Sequence, residues 1–153
     1  MTVCFTGHRR LEPENISEVA RCLSDRIEDL CRGGEVDFRA GGALGFDTLA
    51  ALCVLSAKEI YPNARLHLIL PCKNQTRGWR DTDIEKYQYV LSAADTVTYV
   101  SETYTPYCMH VRNRALVDGA DLCISYCNQA TGGTAYTVSY AQSKGVEVEN
   151  IYI

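Results

Sequence analysis

Residues 36–61 read VDFRAGGALGFDTLAALCVLSAKEIY. The first part, VDFRAGG, is a short strand that ends in two glycines. From Ala43 onward the middle of the stretch is apolar on nearly all sides, the pattern of a buried helix. A strand, a glycine turn and a helix in immediate succession suggest a crossover unit of a parallel sheet.

The same alternation runs from end to end of the 153 residues, without linker, repeat or low-complexity segment. Upstream, VCFTGHRR (Val3–Arg10) is a strand that breaks off at Gly7. Ile16, Val19, Ala20, Leu23, Ile27 and Leu30 then recur at helical spacing, with Pro13 in the first turn and Gly33-Gly34 as the stop. Downstream come the strand ARLHLILP, closed by Pro71, and a helix with Ile84, Tyr87, Leu91 and Ala94 on one face. TVTYV is the next strand, CMHVRNRALVDGA a helix, DLCISY a strand, GGTAYTVSYAQSKG a helix and VEVENIYI a final strand. Strict alternation predicts one α/β domain over residues 1–153. Its form is a Rossmann-like three-layer fold, with a mostly parallel sheet of about six strands and helices on both faces.

Composition narrows the class. Hydrophobic residues at 46% and charged residues at 22% describe a globular chain. No apolar run is long enough to span a bilayer, and no signal peptide precedes the first basic cluster, so no membrane partner is expected and the expected compartment is the cytoplasm. A net charge of -4 opposes a polyphosphate backbone, and the expectation is therefore against nucleic acid as a partner. Of the eight cysteines, Cys4, Cys22, Cys31, Cys53 and Cys123 fall inside apolar patterns and serve as small hydrophobes. No pair encloses the two residues of a zinc knuckle or redox motif, since Cys123 and Cys127 enclose three, so reduced thiols and no metal site are expected.

In a parallel sheet, ligands bind beyond the carboxyl ends of the strands. The groups that follow those ends are alike. After the first strand come Gly7, His8, Arg9 and Arg10; after the second, Gly41, Gly42, Gly45 and Asp47; after the third, Lys73, Asn74, Arg77 and Arg80. A tyrosine-rich loop leads to His110, Arg112 and Asn113, and the fifth strand is followed by Asn128, Thr131, Gly132, Gly133 and Thr134. Glycines admit backbone N–H groups to an anion, helix N-termini add partial positive charge, and arginine forks match phosphate. A small phosphorylated ligand is the expected partner. Arg10 is expected to face outward or to pair with a carboxylate. Asp47 fits a helix cap or a ribose hydroxyl. His67, inside an apolar strand, reads as a hydrogen-bonded core residue, and His8 and His110 also suit ordinary loops.

FTGHRR followed by RAGGALGFDTLAA resembles the YpsA-like branch of the SLOG superfamily, which is related to the Smf/DprA DNA-processing proteins and the lonely-guy enzymes. The resemblance covers essentially the whole chain. It implies a Rossmann-like fold and a pocket for a nucleotide or a nucleotide-derived ligand such as ADP-ribose or NAD. Lonely-guy enzymes cleave the N-glycosidic bond of nucleoside monophosphates, using an arginine in a MHxRK-like helix and a PGGxGTxxE loop. Here MHVRN is similar, so Arg112 matches that arginine and Asn113 replaces the lysine. In TGGTAYTVS, Gly132 and Gly133 match the double glycine, while Ala135, Tyr136 and Ser139 replace the third glycine, the threonine and the glutamate. Ser139 cannot offer the negative charge that a cationic sugar needs, and Asp47 is the best-placed substitute. The implied function is a ligand-binding or regulatory module. The alternative is an N-glycosidase with Arg112 and Asp47 as its catalytic pair, and a third reading is the handling of single-stranded DNA. Dimeric lonely-guy relatives imply a homodimer.

Overall fold

The computed structural model describes residues 1–152. Along the chain run β1 (Thr2–Gly7), α1 (Ile16–Arg32), β2 (Val36–Ala40), α2 (Phe46–Lys58), β3 (Ala64–Leu70) and α3 (Asp81–Ala93). They are followed by β4 (Thr96–Tyr99), α4 (Cys108–Val117), β5 (Leu122–Tyr126), α5 (Gly133–Ser143) and β6 (Glu147–Asn150). The six strands form one sheet in the order β4-β3-β2-β1-β5-β6, and every neighbouring pair is parallel. Parallel neighbours cannot be joined by a tight turn, so a helix crosses a face of the sheet between them. α1 packs on α2 and α2 on α3 over one face, while α4 and α5 pair on the other. The fold is thus α/β, Rossmann-like and three-layered, with a sheet that is wholly parallel.

Burial tracks position in the sheet. The interior strands β1 and β5 are buried along nearly their whole length, whereas most of edge strands β4 and β6 is exposed. The main core stacks the rings of Phe5 and Phe38 at 5.8 Å and sets Phe46 edge-on to Phe5 at 6.5 Å. α1 adds Val19, Leu23, Ile27 and Cys31, four residues apart as a single helical stripe requires. Ile16 departs from the expected stripe. The helix starts after a 3-10 turn over Pro13–Asn15, and Ile16 stands at the sheet rim beside Leu11, largely open. α2, between α1 and α3, buries Phe46, Asp47, Ala50, Ala51, Val54 and Ala57, matching its all-round apolar sequence.

Cover on the second face is uneven. On β2 and β3 that face carries Asp37, Arg39, Arg65 and His67. Asp37 Oδ1 accepts from Arg65 Nε at 2.9 Å and lies 2.7 Å from His67 Nε2, while His67 Nδ1 meets Thr96 Oγ1 at 2.7 Å. His67 is therefore hydrogen-bonded as expected, but on a half-open face and not in the core. Its contact and that of Arg65 hold the Asp37 carboxyl below the usual aspartate range. Arg39 extends from the same face to the C-terminal end of α4, where Nη1 donates to the carbonyls of Leu116 and Asp118 at 3.0 and 2.6 Å. A cation at a helix C-terminus is favourable, and this one fixes the helix that carries Arg112.

Candidate functional site

The strand order reverses between β1 and β5. The connection leaving β1 runs to one side and the one leaving β5 to the other, so a crevice opens above their carboxyl ends. Gly7 pairs in register with Tyr126 at its floor. The resulting cleft, about 240 Å³, is walled by Gly7, His8 and Arg9 from β1 and by Asp47 from α2. Arg112 and Asn113 come from α4, and Gly132, Gly133 and Thr134 from the start of α5. With Thr131, ten of the residues singled out in the sequence thus meet in one place.

Steric constraints explain why this rim is rich in glycine. A Cβ on Gly7 would overlap the Phe46 ring, and a Cβ on Gly45 would strike the carbonyl groups of His8 and Arg9. Gly45 also has φ 76, which L side chains avoid, and caps α2 while Phe46 N–H donates to His8 O at 3.1 Å. Gly133 differs: the space its Cβ would take is open. Its lack of a side chain answers no neighbour within the protein.

Arg112 is buried in the wall. Nη1 donates to Gly41 O, Nε donates to Asn113 Oδ1 at 2.8 Å, and Nη2 finds only Met109 Sδ, at 3.6 Å. Burial depresses the pKa of this guanidinium, and the Asp47 charge partly restores it. A Cβ on Gly41 would press on both Arg112 and Asp47. That glycine therefore lets arginine and carboxyl flank the same backbone point. Asp47 is itself buried, and burial pushes its carboxyl up to about 6 against the pull of Arg112, the Ala43 N–H and Arg9. Among the described residues no carboxylate comes within 4 Å of Arg112, Arg9, Arg10 or Arg77, so these cations have no internal ion pair.

Not every singled-out residue enters the cleft. Gly42, with φ 71, turns toward Leu70 and Gln75 on the β3 side. Gly41 and Gly45 act from behind, as described. Arg77 lines a neighbouring cleft and Arg10 faces outward, as expected. His8 lines the cleft, but its Nε2 accepts the Asn128 N–H at 3.0 Å and is occupied. Ser139 is exposed on α5. Sequence reasoning missed Thr6, Met109 and Gln129, which also line the cleft. Met109, three residues before Arg112 on α4, was legible from helical spacing. Gln129 sits on an irregular turn and left no such signal. Among the described residues no group of three or more His, Cys, Asp or Glu is gathered to hold a metal, and no helix is long and apolar enough to cross a membrane.

A chain with this topology and this crevice is a Rossmann-like α/β protein. A family model, YpsA, described as the YspA SLOG family, matches residues 3–152, and the chain belongs to that family. A UPF0398 protein of Bacillus anthracis (strain A0248) is 26% identical over 137 residues, covering 88% of this chain and 74% of that one. Another, of Bacillus thuringiensis (strain Al Hakam), is 29% identical over 114 residues, covering 72% of this chain and 61% of the relative. The fold is also that of DNA processing protein A from Streptococcus pneumoniae, with TM-score 0.71 at 17% identity, over 96% of this chain and 48% of that chain. DNA processing protein A from Helicobacter pylori, described for its single-stranded DNA binding mode, gives TM-score 0.69 at 18% identity, over 97% and 63%. This chain thus spans about half to two thirds of those two proteins.

Proposed function

We propose that the cleft between β1 and β5 holds the phosphate of a nucleotide or nucleotide-derived ligand, and that the chain is a ligand-binding module. The observation that carries this reading is the Arg112 guanidinium. It is buried, feels the Asp47 charge without a carboxylate oxygen within 4 Å among the described residues, and has Nη2 without an oxygen acceptor beside the opening turn of α5. A buried cation held in that state is stabilised by an anion that arrives from outside. Open space at Gly133 supports close approach of such an anion to the backbone.

Thermal denaturation with AMP, ADP-ribose and NAD tests the reading. A binder at a hundred times its Kd adds about 2.7 kcal/mol to stability. Stabilisation by at least one of them, lost in Arg112→Ala, is the expected result; a flat response to all three refutes the proposal. An N-glycosidase draws less support, since among the described residues Asp47 is the one carboxyl lining the cleft and Ser139 is exposed outside it.

The likeness to the Helicobacter pylori protein favours a second reading, single-stranded DNA on the same rim, and weakens the case against nucleic acid drawn from net charge. Charge distribution, not its sum, governs local binding, and Arg9, Arg10, Arg77 and Arg112 are concentrated at this end of the sheet. Titration of a short single-stranded oligonucleotide at low salt decides: saturable binding that weakens steeply with salt supports it, and a flat isotherm removes it.

A further inference from the structure

The first cleft is small for a nucleotide. At about 240 Å³ it falls below the roughly 300–1,000 Å³ of ordinary ligand pockets. Beyond Arg9 and Met109, which wall both spaces, a second cleft of about 410 Å³ continues over the loop after β3. Its lining includes Arg77, Trp79, Tyr104 and Asn74 and no carboxylate.

We propose that this second cleft is a subsite for the distal half of an extended ligand, one bearing a further phosphate and an aromatic base, so that the chain takes a dinucleotide-sized molecule. The proposal rests on the phosphate reading of the first cleft. Arg9 stands at the junction and Arg77 lies further along, both without carboxylate partners among the described residues, which spaces two cations for two anionic groups. Trp79 packs its ring edge-on to Tyr87 at 5.5 Å. Tyr104 is 60% exposed and no other ring of the protein stacks on it among the described residues. Its face is available to a base, whose stacking on an aromatic ring is worth about 1–3 kcal/mol. Asn74 supplies amide groups suited to a base edge.

A third cleft, past His8, is a weaker route. It contains the Glu12 carboxylate, and its aromatic rings are used internally. Tyr126 and Tyr152 pack at 5.1 Å, and the Tyr152 hydroxyl accepts from Asn128 Nδ2 at 3.0 Å.

Calorimetric titration of the full chain with ribose 5-phosphate, AMP and ADP-ribose tests the subsite in wild type, Arg77→Ala and Tyr104→Ala. Both residues are exposed, so the fold should tolerate their loss. ADP-ribose is expected to bind at least tenfold more tightly than ribose 5-phosphate. Each variant should cut that advantage about 5- to 150-fold or abolish it, leaving ribose 5-phosphate binding unchanged. Equal affinity for the three probes, or an ADP-ribose advantage that survives both substitutions, overturns the subsite while the phosphate reading stands. Failure of all three probes to bind overturns both. A short oligothymidylate that binds with the same dependence on Arg77 and Tyr104 and displaces ADP-ribose overturns the small-ligand assignment in favour of a strand.

Discussion

Replacing Asp47 by Asn should reshape the dependence of stability on pH. The carboxyl of Asp47 is buried, and its pKa stands at about 6 in place of the ordinary 3.8, with burial as the main cause and Arg112, the Ala43 N–H and Arg9 in opposition. A group whose pKa rises on folding binds its proton more tightly in the native state. Its contribution to stability is fully present below about pH 3.8 and is lost as pH climbs through about 6. At about 1.4 kcal/mol for each tenfold change in proton affinity, the full effect is about 3 kcal/mol, of which wild type should lose about 2.4 kcal/mol relative to Asp47→Asn between pH 4 and pH 7.5. For a chain of this size that corresponds to roughly 5–10 °C in Tm. Asn keeps an oxygen to accept from Ala43, so the hydrogen bond at 3.4 Å survives, while the loss of charge beside Arg112 shifts the variant's baseline by an amount nearly independent of pH. The quantity to read is therefore the difference between the two Tm curves as pH rises, not either curve alone. Parallel curves from pH 4 to pH 7.5 would show that Asp47 is not desolvated as the structure has it.

Other consequences are open to measurement. Gly7→Ala should destabilise by about 1–3 kcal/mol in chemical denaturation, because its methyl group meets the Phe46 ring. Gly133→Ala should leave stability within about 0.5 kcal/mol of wild type yet weaken binding of ADP-ribose at least tenfold. Unchanged affinity there would contradict close approach of a ligand to the α5 backbone. Sulfate does not titrate near neutrality, so its affinity should rise as pH falls through about 6 and Asp47 loses its charge, and this dependence should vanish in Asp47→Asn. Below pH 4 the sign reverses for Asp37 and Glu149, held low by His67 with Arg65 and by Arg26 respectively. Stability from these pairs is present above the ordinary carboxyl range and disappears on acidification, and Arg26→Ala should flatten part of that loss.

The alternation of strands and helices was written in local pattern. Each element of a parallel sheet must be apolar enough to bury itself, and Gly or Pro marks where it stops, so the layers and the carboxyl-end rim could be read without coordinates. Family likeness in FTGHRR and MHVRN pointed to Gly7 and Arg112 in the same way. Tertiary structure decided what periodicity cannot carry. Gly41 and Gly42 are adjacent in sequence, yet the carbonyl of Gly41 holds Arg112 while Gly42 turns toward β3. Arg77 follows the third strand and so belongs to the carboxyl-end rim, but strand order puts it one cleft away from Gly133. His8 was legible as a rim residue, and only the fold shows its ring nitrogen taken by Asn128, 120 positions along the chain. The reason is that local sequence sets the backbone state and the inward face of each element. Which rim groups meet, and which become buried beside one another, follows from the order in which strands assemble into the sheet.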